Sequence, residues 1–232
     1  MKLDGCNALI TGGSAGIGRE FARQLAPCAR TLVLVARREQ RLNELRDELR
    51  SQNRQLNVYV RAVDLCDKSQ IDELVRRLEE NRIEVDFLIN NAGLGDYGSF
   101  ATSNPERDAQ IIQVNIVALT SLTRRLLPQM ISRKRGAILN VSSSAGFLPI
   151  PGMAVYAASK AYANSFSEAL RAELCGTGVT VTALCPGPVH TEFGDVAIRP
   201  GGEPERGPEF VYVSRTPWTK LPQKASCCER ET

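Results

Sequence analysis

Short runs of aliphatic residues alternate with longer amphipathic segments along most of this chain. Six runs predict β-strands, at 6–11, 31–36, 58–63, 85–89, 137–141 and 179–184. The run at 31–36 (TLVLVA) is continuously apolar after its first residue, which is typical of a strand buried on both faces of a parallel sheet.

The segments between these runs carry apolar residues three and four positions apart, which predicts helices. Leu42, Leu45 and Leu49 form one such stripe, with charged residues between them. Further helices are predicted at 19–25, through Ile71, Leu74, Val75 and Leu78, at 105–132 and at 155–174. Pro128 predicts a kink or an early stop in the long helix 105–132.

This repeated strand–helix order predicts a doubly wound α/β fold of the Rossmann type, in which helices cover both faces of a parallel sheet. We expect one domain over residues 1–198. Residues 199–232 contain five prolines and a charged end. We therefore expect an irregular tail there, with at most a short strand at 209–213.

Composition places the chain among ordinary globular proteins. Of its 232 residues 43% are hydrophobic and 24% charged, and a formal charge of +3 is too small to indicate nucleic-acid binding. The seven cysteines are scattered without metal-ligand spacing, so we expect no metal site and mostly buried, inert thiols. Without a signal-peptide pattern or an apolar run of ~20 residues, a reduced, cytoplasmic setting without a membrane span is expected.

A glycine-rich turn, TGGSAGIG, directly follows the first strand and opens the first helix. Gly12, Gly16 and Gly18 allow a pyrophosphate to approach the free N–H groups of the helix start, which predicts nucleotide binding. Three residues separate Gly12 from Gly16, which differs from the G-x-G-x-x-G form. The same letters also match the G-x-S-x-G elbow of a hydrolase around Ser14. That elbow needs an acid and then a histidine downstream, whereas only a tail follows His190, which we interpret as a loop residue.

The ends of the second and third strands carry residues that can select the cofactor. Arg37 and Arg38 follow the second strand, where an acid would bind ribose hydroxyls and an arginine would accept a 2′-phosphate. Arg37 therefore favours NADP over NAD, although it could also be a solvated residue at a helix start. Asp64 ends the third strand and either contacts the adenine or caps the next helix.

Tyr156 and Lys160 lie four residues apart on a predicted helix, so both side chains belong to one face. A phenol has an unperturbed pKa of about 10, and a nearby cation lowers that pKa by favouring the phenolate. The pair is therefore a candidate proton donor or acceptor.

With TGGSAGIG, NNAG, Asn115, Ser143 and YAASK in order, residues 3–193 closely resemble the short-chain dehydrogenase/reductase family. The resemblance implies that Asn91 contacts the adenosine ribose. It implies that Asn115 holds a water that connects the lysine to solvent, the alternative being a bond to its own helix backbone. The family's serine precedes its tyrosine by thirteen residues, which selects Ser143 among Ser142, Ser143 and Ser144.

The resemblance also implies a chemical role for each of these residues. Ser143 would stabilise charge on the substrate oxygen, Tyr156 would exchange the proton with that oxygen, and Lys160 would bind the nicotinamide ribose and depress the tyrosine pKa. The segment PGPVHT would orient the nicotinamide. The implied cofactor-binding residues are Gly12, Ser14, Gly16, Ile17, Gly18, Arg37, Asp64, Asn91, Tyr156, Lys160, Val189 and Thr191.

The implied function is hydride transfer between NADP(H) and a carbonyl or secondary alcohol. Apolar residues near the expected site favour a fairly apolar substrate of the steroid, fatty-acyl or simple-ketone type, although they could equally be core: Leu94, Phe147, Leu148, Ile150, Met153 and Phe193. Family members form dimers through two helices that correspond to 105–132 and 155–174. The sequence departs from the family after Phe193, where a lid and a further helix–strand unit normally follow. This departure keeps open the alternative of a non-catalytic, NADP(H)-binding regulatory or scaffold protein.

Overall fold

A parallel sheet of six strands forms the centre of the described part of the chain, which is residues 3–189 and 191–197 of this computed structural model. The strands are β1 (Asn7–Thr11), β2 (Thr31–Ala36), β3 (Asn57–Ala62), β4 (Phe87–Asn90), β5 (Gly136–Val141) and β6 (Val179–Leu184). They lie in the order β3–β2–β1–β4–β5–β6, and every neighbouring pair is parallel. The predicted doubly wound fold is confirmed.

Helices connect the strands and cover both faces of the sheet. They are α1 (Gly16–Leu25), α2 (Glu39–Gln52), α3 (Lys68–Glu80), α4 (Pro105–Ile112), α5 (Leu119–Ser132), α6 (Ala154–Glu173) and α7 (Glu192–Ala197). A π-helical turn, Gln113–Ala118, joins α4 to α5, and 3₁₀ turns lie at Phe100–Thr102 and Ser144–Phe147. None of these helices combines the length and the apolarity that a membrane crossing requires.

In the described part of the chain, two hydrophobic cores are present, one on each face of the sheet. Along β1, Ala8 and Ile10 belong to the core shared with α1 and α2, whereas Leu9 belongs to the core shared with α3, α5 and α6. Successive side chains of a strand point to opposite faces, so one strand serves both cores. In β2 the first five residues are all buried, which confirms that this strand is covered on both faces.

The predicted long helix 105–132 is divided by a π-helical turn upstream of Pro128. Pro128 lies inside α5, which continues to Ser132, so an early stop at Pro128 is wrong. Leu126 and Met130 on either side of the proline are buried, and their packing maintains the helix. The irregularity lies upstream, in the π-helical turn Gln113–Ala118.

Some predictions for the C-terminal region fall outside the described residues: the loop position of His190, the domain boundary at 198 and the tail 199–232 with its candidate strand. Within the described part, the chain does not pass from Phe193 directly into irregular structure, because α7 forms at Glu192–Ala197.

The cysteines of the described residues differ in exposure. Cys6 is buried, Cys28, Cys66 and Cys185 are half-buried, and Cys175 is exposed. The prediction of mostly buried thiols is therefore wrong for this part of the chain. Burial raises the pKa of the Cys6 thiol to about 11, which keeps that thiol protonated and unreactive.

Candidate active site at the carboxyl edge of the sheet

The carboxyl ends of β1 and β4 lie side by side where the strand order reverses direction. Crossovers from these two strands run to opposite sides, which opens a crevice at this edge and makes it the expected ligand site of a doubly wound sheet. The glycine turn follows β1, and the NNAG segment follows the fourth strand.

The glycine turn is held against the segment after β4 by Asn91. Its side-chain nitrogen donates to the carbonyl oxygens of Thr11 at 2.9 Å and Gly12 at 3.3 Å. Gly12 has a φ of +67°, and a Cβ there would lie 2.7 Å from the Asn91 Nδ2; a Cβ on Gly18 would collide with the same atom. These glycines therefore permit close packing with Asn91, which supports the turn.

The start of α1 has the features of an anion site. Its N-cap, Ala15, provides no side-chain hydrogen bond, so the first backbone N–H groups of the helix are available to a phosphate. Gly16, with a φ of +53°, approaches Thr191, since a Cβ there would lie 3.3 Å from the threonine Cβ. The side chain of Ile17 instead packs against the hydrophobic core, so its contact with a cofactor would be through the backbone.

Two arginines near the glycine turn were not among the predicted site residues. Arg38 donates from Nη2 to Ser14 Oγ at 3.3 Å and from Nη1 to Glu192 at 2.8 Å, and Arg41 also bonds Glu192. Arg37, the predicted phosphate ligand, is exposed at the end of β2. The three-residue spacing of Arg38 and Arg41 across the start of α2 is the sequence signal that could have identified them.

Asp64 does not cap the following helix, so that alternative is wrong. Its Oδ1 accepts from the backbone N–H of Cys66 at 2.9 Å, whereas Asp67 caps α3 by accepting from the N–H of Ser69. Asp64 is half-buried two residues after β3, where its role as an adenine contact stays a prediction.

The three serines after β5 have distinct partners. Ser142 is buried and its hydroxyl donates to the carbonyl oxygen of Lys160 at 2.9 Å, which fixes α6 against the sheet. Ser143 Oγ accepts from the N–H of Ala145 at 3.1 Å. It also lies near the Tyr156 hydroxyl, where it partly offsets the rise that burial causes in the pKa of that phenol. The geometry thus favours Ser143 as the serine that acts with Tyr156.

The predicted effect of Lys160 on the tyrosine is corrected by the structure. Burial raises the pKa of Tyr156 above its usual value of 10, and burial lowers the pKa of Lys160 to about 8. The Lys160 Nζ lies 5.8 Å from the Tyr156 ring centroid and donates to the carbonyl oxygen of Val141 at 2.8 Å. Loss of solvent disfavours charge on both groups and is the largest cause of each shift.

Asn115 lies in the π-helical turn and binds the segment after β4. Its Oδ1 accepts from the N–H of Leu94, and its Nδ2 donates to the Leu94 carbonyl oxygen and to Ser159 Oγ, each at 2.9 Å. Ser159 in turn donates to the Tyr156 carbonyl oxygen at 2.7 Å. The alternative in which Asn115 bonds only its own helix is wrong. Asn115 instead connects the segment after β4 to the helix that carries the tyrosine.

The α7 segment lies across this edge of the sheet. The Phe193 ring centroid is 5.3 Å from that of Tyr156, and the Ala197 carbonyl oxygen accepts from the N–H of Tyr97 at 2.9 Å. Val189 is half-buried between β6 and α7. The structure therefore brings Thr191 to the glycine turn and Phe193 to the catalytic candidate.

A small cleft of about 30 Å³ adjoins Tyr156. Its lining mixes carboxylates with apolar side chains and includes Asp96, Phe100, Asp108, Met153 and Tyr156. Phe147 and Leu148, which the sequence analysis placed near the substrate, are each 67% exposed and do not line it. Within this cleft, Met153 alone matches the apolar residues named from the sequence.

Comparisons with known proteins agree with this geometry. Residues 6–198 match the family described as short chain dehydrogenase, so the chain belongs to the short-chain dehydrogenase/reductase family. It is 39% identical over 195 residues to the short chain dehydrogenase MYCFIDRAFT_6125 of Pseudocercospora fijiensis, which covers 83% of this chain and 62% of that protein. It is 41% identical over 212 residues to a sulfoacetaldehyde reductase of Chromohalobacter salexigens, covering 90% of this chain and 81% of that one.

Among solved structures, the chain resembles a short-chain dehydrogenase from Sphingobium yanoikuyae in complex with NADPH. The TM-score is 0.77 at 35% identity, covering 84% of this chain and 76% of that one. The predicted family and the predicted class, an NADP(H)-linked oxidoreductase acting on carbonyl or alcohol groups, are confirmed.

Proposed function

We propose that Tyr156, Ser143 and Lys160 carry the proton chemistry of this NADP(H)-dependent oxidoreductase. The observation that carries the proposal is that Tyr156 is buried beside Lys160, with Ser143 near its hydroxyl, at the edge of a cleft. A site with these three groups can deliver a proton to a carbonyl oxygen while hydride is added to its carbon.

The raised pKa of Tyr156 keeps its phenol protonated at neutral pH. In the direction of carbonyl reduction the phenol therefore donates its proton to the substrate oxygen, and the Ser143 hydroxyl donates a hydrogen bond to the same oxygen. With a pKa of about 8, Lys160 exchanges protons easily near neutral pH and can replace the proton that leaves Tyr156. NADP(H), when bound, supplies or accepts the hydride.

The residues around the glycine turn fit a phosphorylated dinucleotide. The uncapped start of α1 suits the pyrophosphate, and Arg38 beside Ser14 suits the 2′-phosphate together with Arg37. Asn91, with its amide already bonded to the turn, would contribute mainly by shaping it.

The cleft beside Tyr156 supports a neutral substrate with an apolar part. Phe100 and Met153 provide apolar contacts, whereas the carboxylates of Asp96 and Asp108 repel an anionic group close to the reacting carbonyl. Ketones of the steroid, fatty-acyl or simple type satisfy these conditions, and a short sulfonate or carboxylate substrate does not.

A panel of carbonyl compounds tests this proposal through NADPH consumption. Each neutral ketone is paired with a carboxylate or sulfonate analogue of the same size, and we expect kcat/KM to favour the neutral member about tenfold or more. Asp96→Asn should reduce that preference. Faster turnover of the anionic members would contradict the substrate proposal, and NADPH binding without any turnover would support the non-catalytic alternative.

We also infer a homodimer, for which α6 provides the supporting surface. Small exposed residues follow one face of this helix at helical spacing, namely Ala154, Ala158, Ala161, Ser165 and Ala169. Such a face allows a second helix to approach closely, and the neighbouring helical segments expose Ile112 and Val117.

We also propose that the protein is located in the cytoplasm. The support for this location is that Cys6, Cys28, Cys66 and Cys185 are free thiols, as is common where thiols are kept reduced. Fluorescence microscopy of the tagged protein would test it, and a signal confined to an organelle or to membranes would contradict it.

A further inference from the structure

Glu192, the first residue of α7, is bound by two arginines from a different part of the fold. Arg38 Nη1 donates to its Oε2 at 2.8 Å, while Arg41 Nη1 donates to Oε1 at 2.6 Å and to Oε2 at 2.7 Å. All three side chains are about half exposed, at 48%, 46% and 44% for Glu192, Arg38 and Arg41. The contact therefore joins α7 to the start of α2 at the surface of the molecule.

Arg38 contacts the glycine turn as well as Glu192. Its Nη2 donates to Ser14 Oγ at 3.3 Å, so the guanidinium lies between the turn and the carboxylate of Glu192. A guanidinium group binds carboxylates and phosphates with the same planar pair of N–H donors. Glu192 thus occupies, with a carboxylate of this chain, the donors that an anionic group of a bound dinucleotide would use.

We propose that Glu192 is an internal competitor for the 2′-phosphate of NADP(H) and sets the affinity of the enzyme for that cofactor. Binding of the 2′-phosphate transfers Arg38 and Arg41 from the carboxylate to the phosphate and releases Glu192. The cofactor can use the arginines only in molecules in which Glu192 has released them. The apparent affinity for NADP(H) is therefore the intrinsic affinity multiplied by the fraction of such molecules. This inference rests on the NADP(H) preference stated above.

The exchange has a consequence at the other end of the crevice. Phe193 follows Glu192 directly and its ring lies against that of Tyr156, while Thr191 on the other side contacts Gly16. Release of Glu192 therefore loosens the segment that covers Tyr156. A dinucleotide without the 2′-phosphate has no group that competes for the arginines, so it does not loosen α7 in this way. Binding of the 2′-phosphate and opening of the segment over Tyr156 are therefore coupled. Each favours the other by the same free energy.

Two adenosine nucleotides separate this effect from catalysis. 2′,5′-ADP carries the phosphate that distinguishes NADP, and 5′-AMP lacks it, so calorimetric binding of both reports the 2′-phosphate contribution without turnover. Wild type is compared with Glu192→Gln, which removes the charge and keeps the size. Glu168→Gln is the matched control, because Glu168 pairs with Arg171 on the exposed face of α6, away from the crevice.

We expect Glu192→Gln to bind 2′,5′-ADP about three- to tenfold more tightly than wild type, since exposed ion pairs of this kind are individually weak. Affinity for 5′-AMP should change less than twofold, and Glu168→Gln should match wild type with both nucleotides. Hydrogen exchange provides the second readout: in wild type, 2′,5′-ADP should accelerate amide exchange in residues 191–197, and 5′-AMP should not.

Several results would overturn the proposal. Unchanged or weaker binding of 2′,5′-ADP to Glu192→Gln would show that the carboxylate does not compete, or that it holds the arginines ready for the phosphate. An equal gain for 5′-AMP would indicate a general charge effect. If wild type itself binds 2′,5′-ADP no better than 5′-AMP, the NADP(H) preference fails, and this outcome is distinguishable from failure of the competition.

Discussion

Burial moves the pKa values of Tyr156 and Lys160 in opposite directions, and both shifts favour the neutral side chain. For the tyrosine this suits proton donation. For the lysine it means that the charged amine is less stable in the folded protein than in water. The pKa falls from 10.5 to about 8, and at 1.36 kcal/mol per unit the buried charge costs roughly 3 kcal/mol of stability at neutral pH.

Lys160→Met should therefore stabilise the fold at pH 7 by about 1–3 kcal/mol, the lost hydrogen bond to Val141 offsetting part of the gain. Between pH 8 and 10.5 the unfolded wild type binds more protons than the folded one, so wild-type stability rises with pH relative to the variant. Urea unfolding at pH 7 and pH 9.5 measures both values. A difference that does not shrink at pH 9.5 would contradict the lowered pKa.

Which arginine faces the glycine turn could not be predicted from residue types. Arg37 and Arg38 are adjacent and chemically identical, and the choice depends on the backbone at the N-cap of α2, where Arg38 has a φ of −86° and a ψ of 84°. Ser143 was predictable because its spacing to Tyr156 is a property of the sequence. The pKa directions were not, since they depend on how completely the folded chain buries the two side chains.

At the scale of single elements, the glycine turn and α1 form one unit with the segment after β4. Asn91 bonds the turn, and Gly18 leaves the space for its amide. Gly13, in the same turn, has no such constraint, since a Cβ there would meet its neighbours at an ordinary 3.7 Å.

Gly18→Ala should lower the free energy of unfolding by about 1–3 kcal/mol, because the added methyl group displaces Asn91 and the turn. It should also weaken NADPH binding by tenfold or more. Gly13→Ala is the control, with a stability change within about 0.5 kcal/mol. Urea unfolding gives the first quantity and NADPH fluorescence titration the second. Equal stability of the two variants would refute this account of the turn.

The strands were predicted to within two residues because alternation of buried runs and amphipathic segments is strong in this chain. The π-helical turn and α7 were not predicted. The π-helical turn Gln113–Ala118 follows from the bonds of Asn115 to Leu94, which are distant in sequence. The short α7 is held by Glu192 and by the contact of Phe193 with Tyr156, and such contacts leave no periodic pattern.

For the whole molecule, the stripe of small residues on α6 predicts how two copies associate. Ala161→Arg places a long charged side chain in the middle of this stripe, where a close helix–helix contact cannot accommodate it. We expect light scattering to report twice the chain mass for wild type and the single chain mass for Ala161→Arg. Arginine at Glu44, an exposed residue of α2 on the opposite face of the sheet, should leave the dimer intact. A wild-type monomer would remove the dimer proposal.

The central claim is that the Tyr156 hydroxyl transfers the proton during NADP(H)-linked carbonyl reduction. Tyr162 lies on the same helix and bonds Thr120 Oγ1 at 2.8 Å through its own hydroxyl, so Tyr162→Phe is a matched control. With the best ketone of the panel, NADPH oxidation should fall about 100-fold or more in Tyr156→Phe and less than threefold in Tyr162→Phe, with NADPH affinity unchanged in both. A Tyr156→Phe enzyme that retains the wild-type rate would contradict the account.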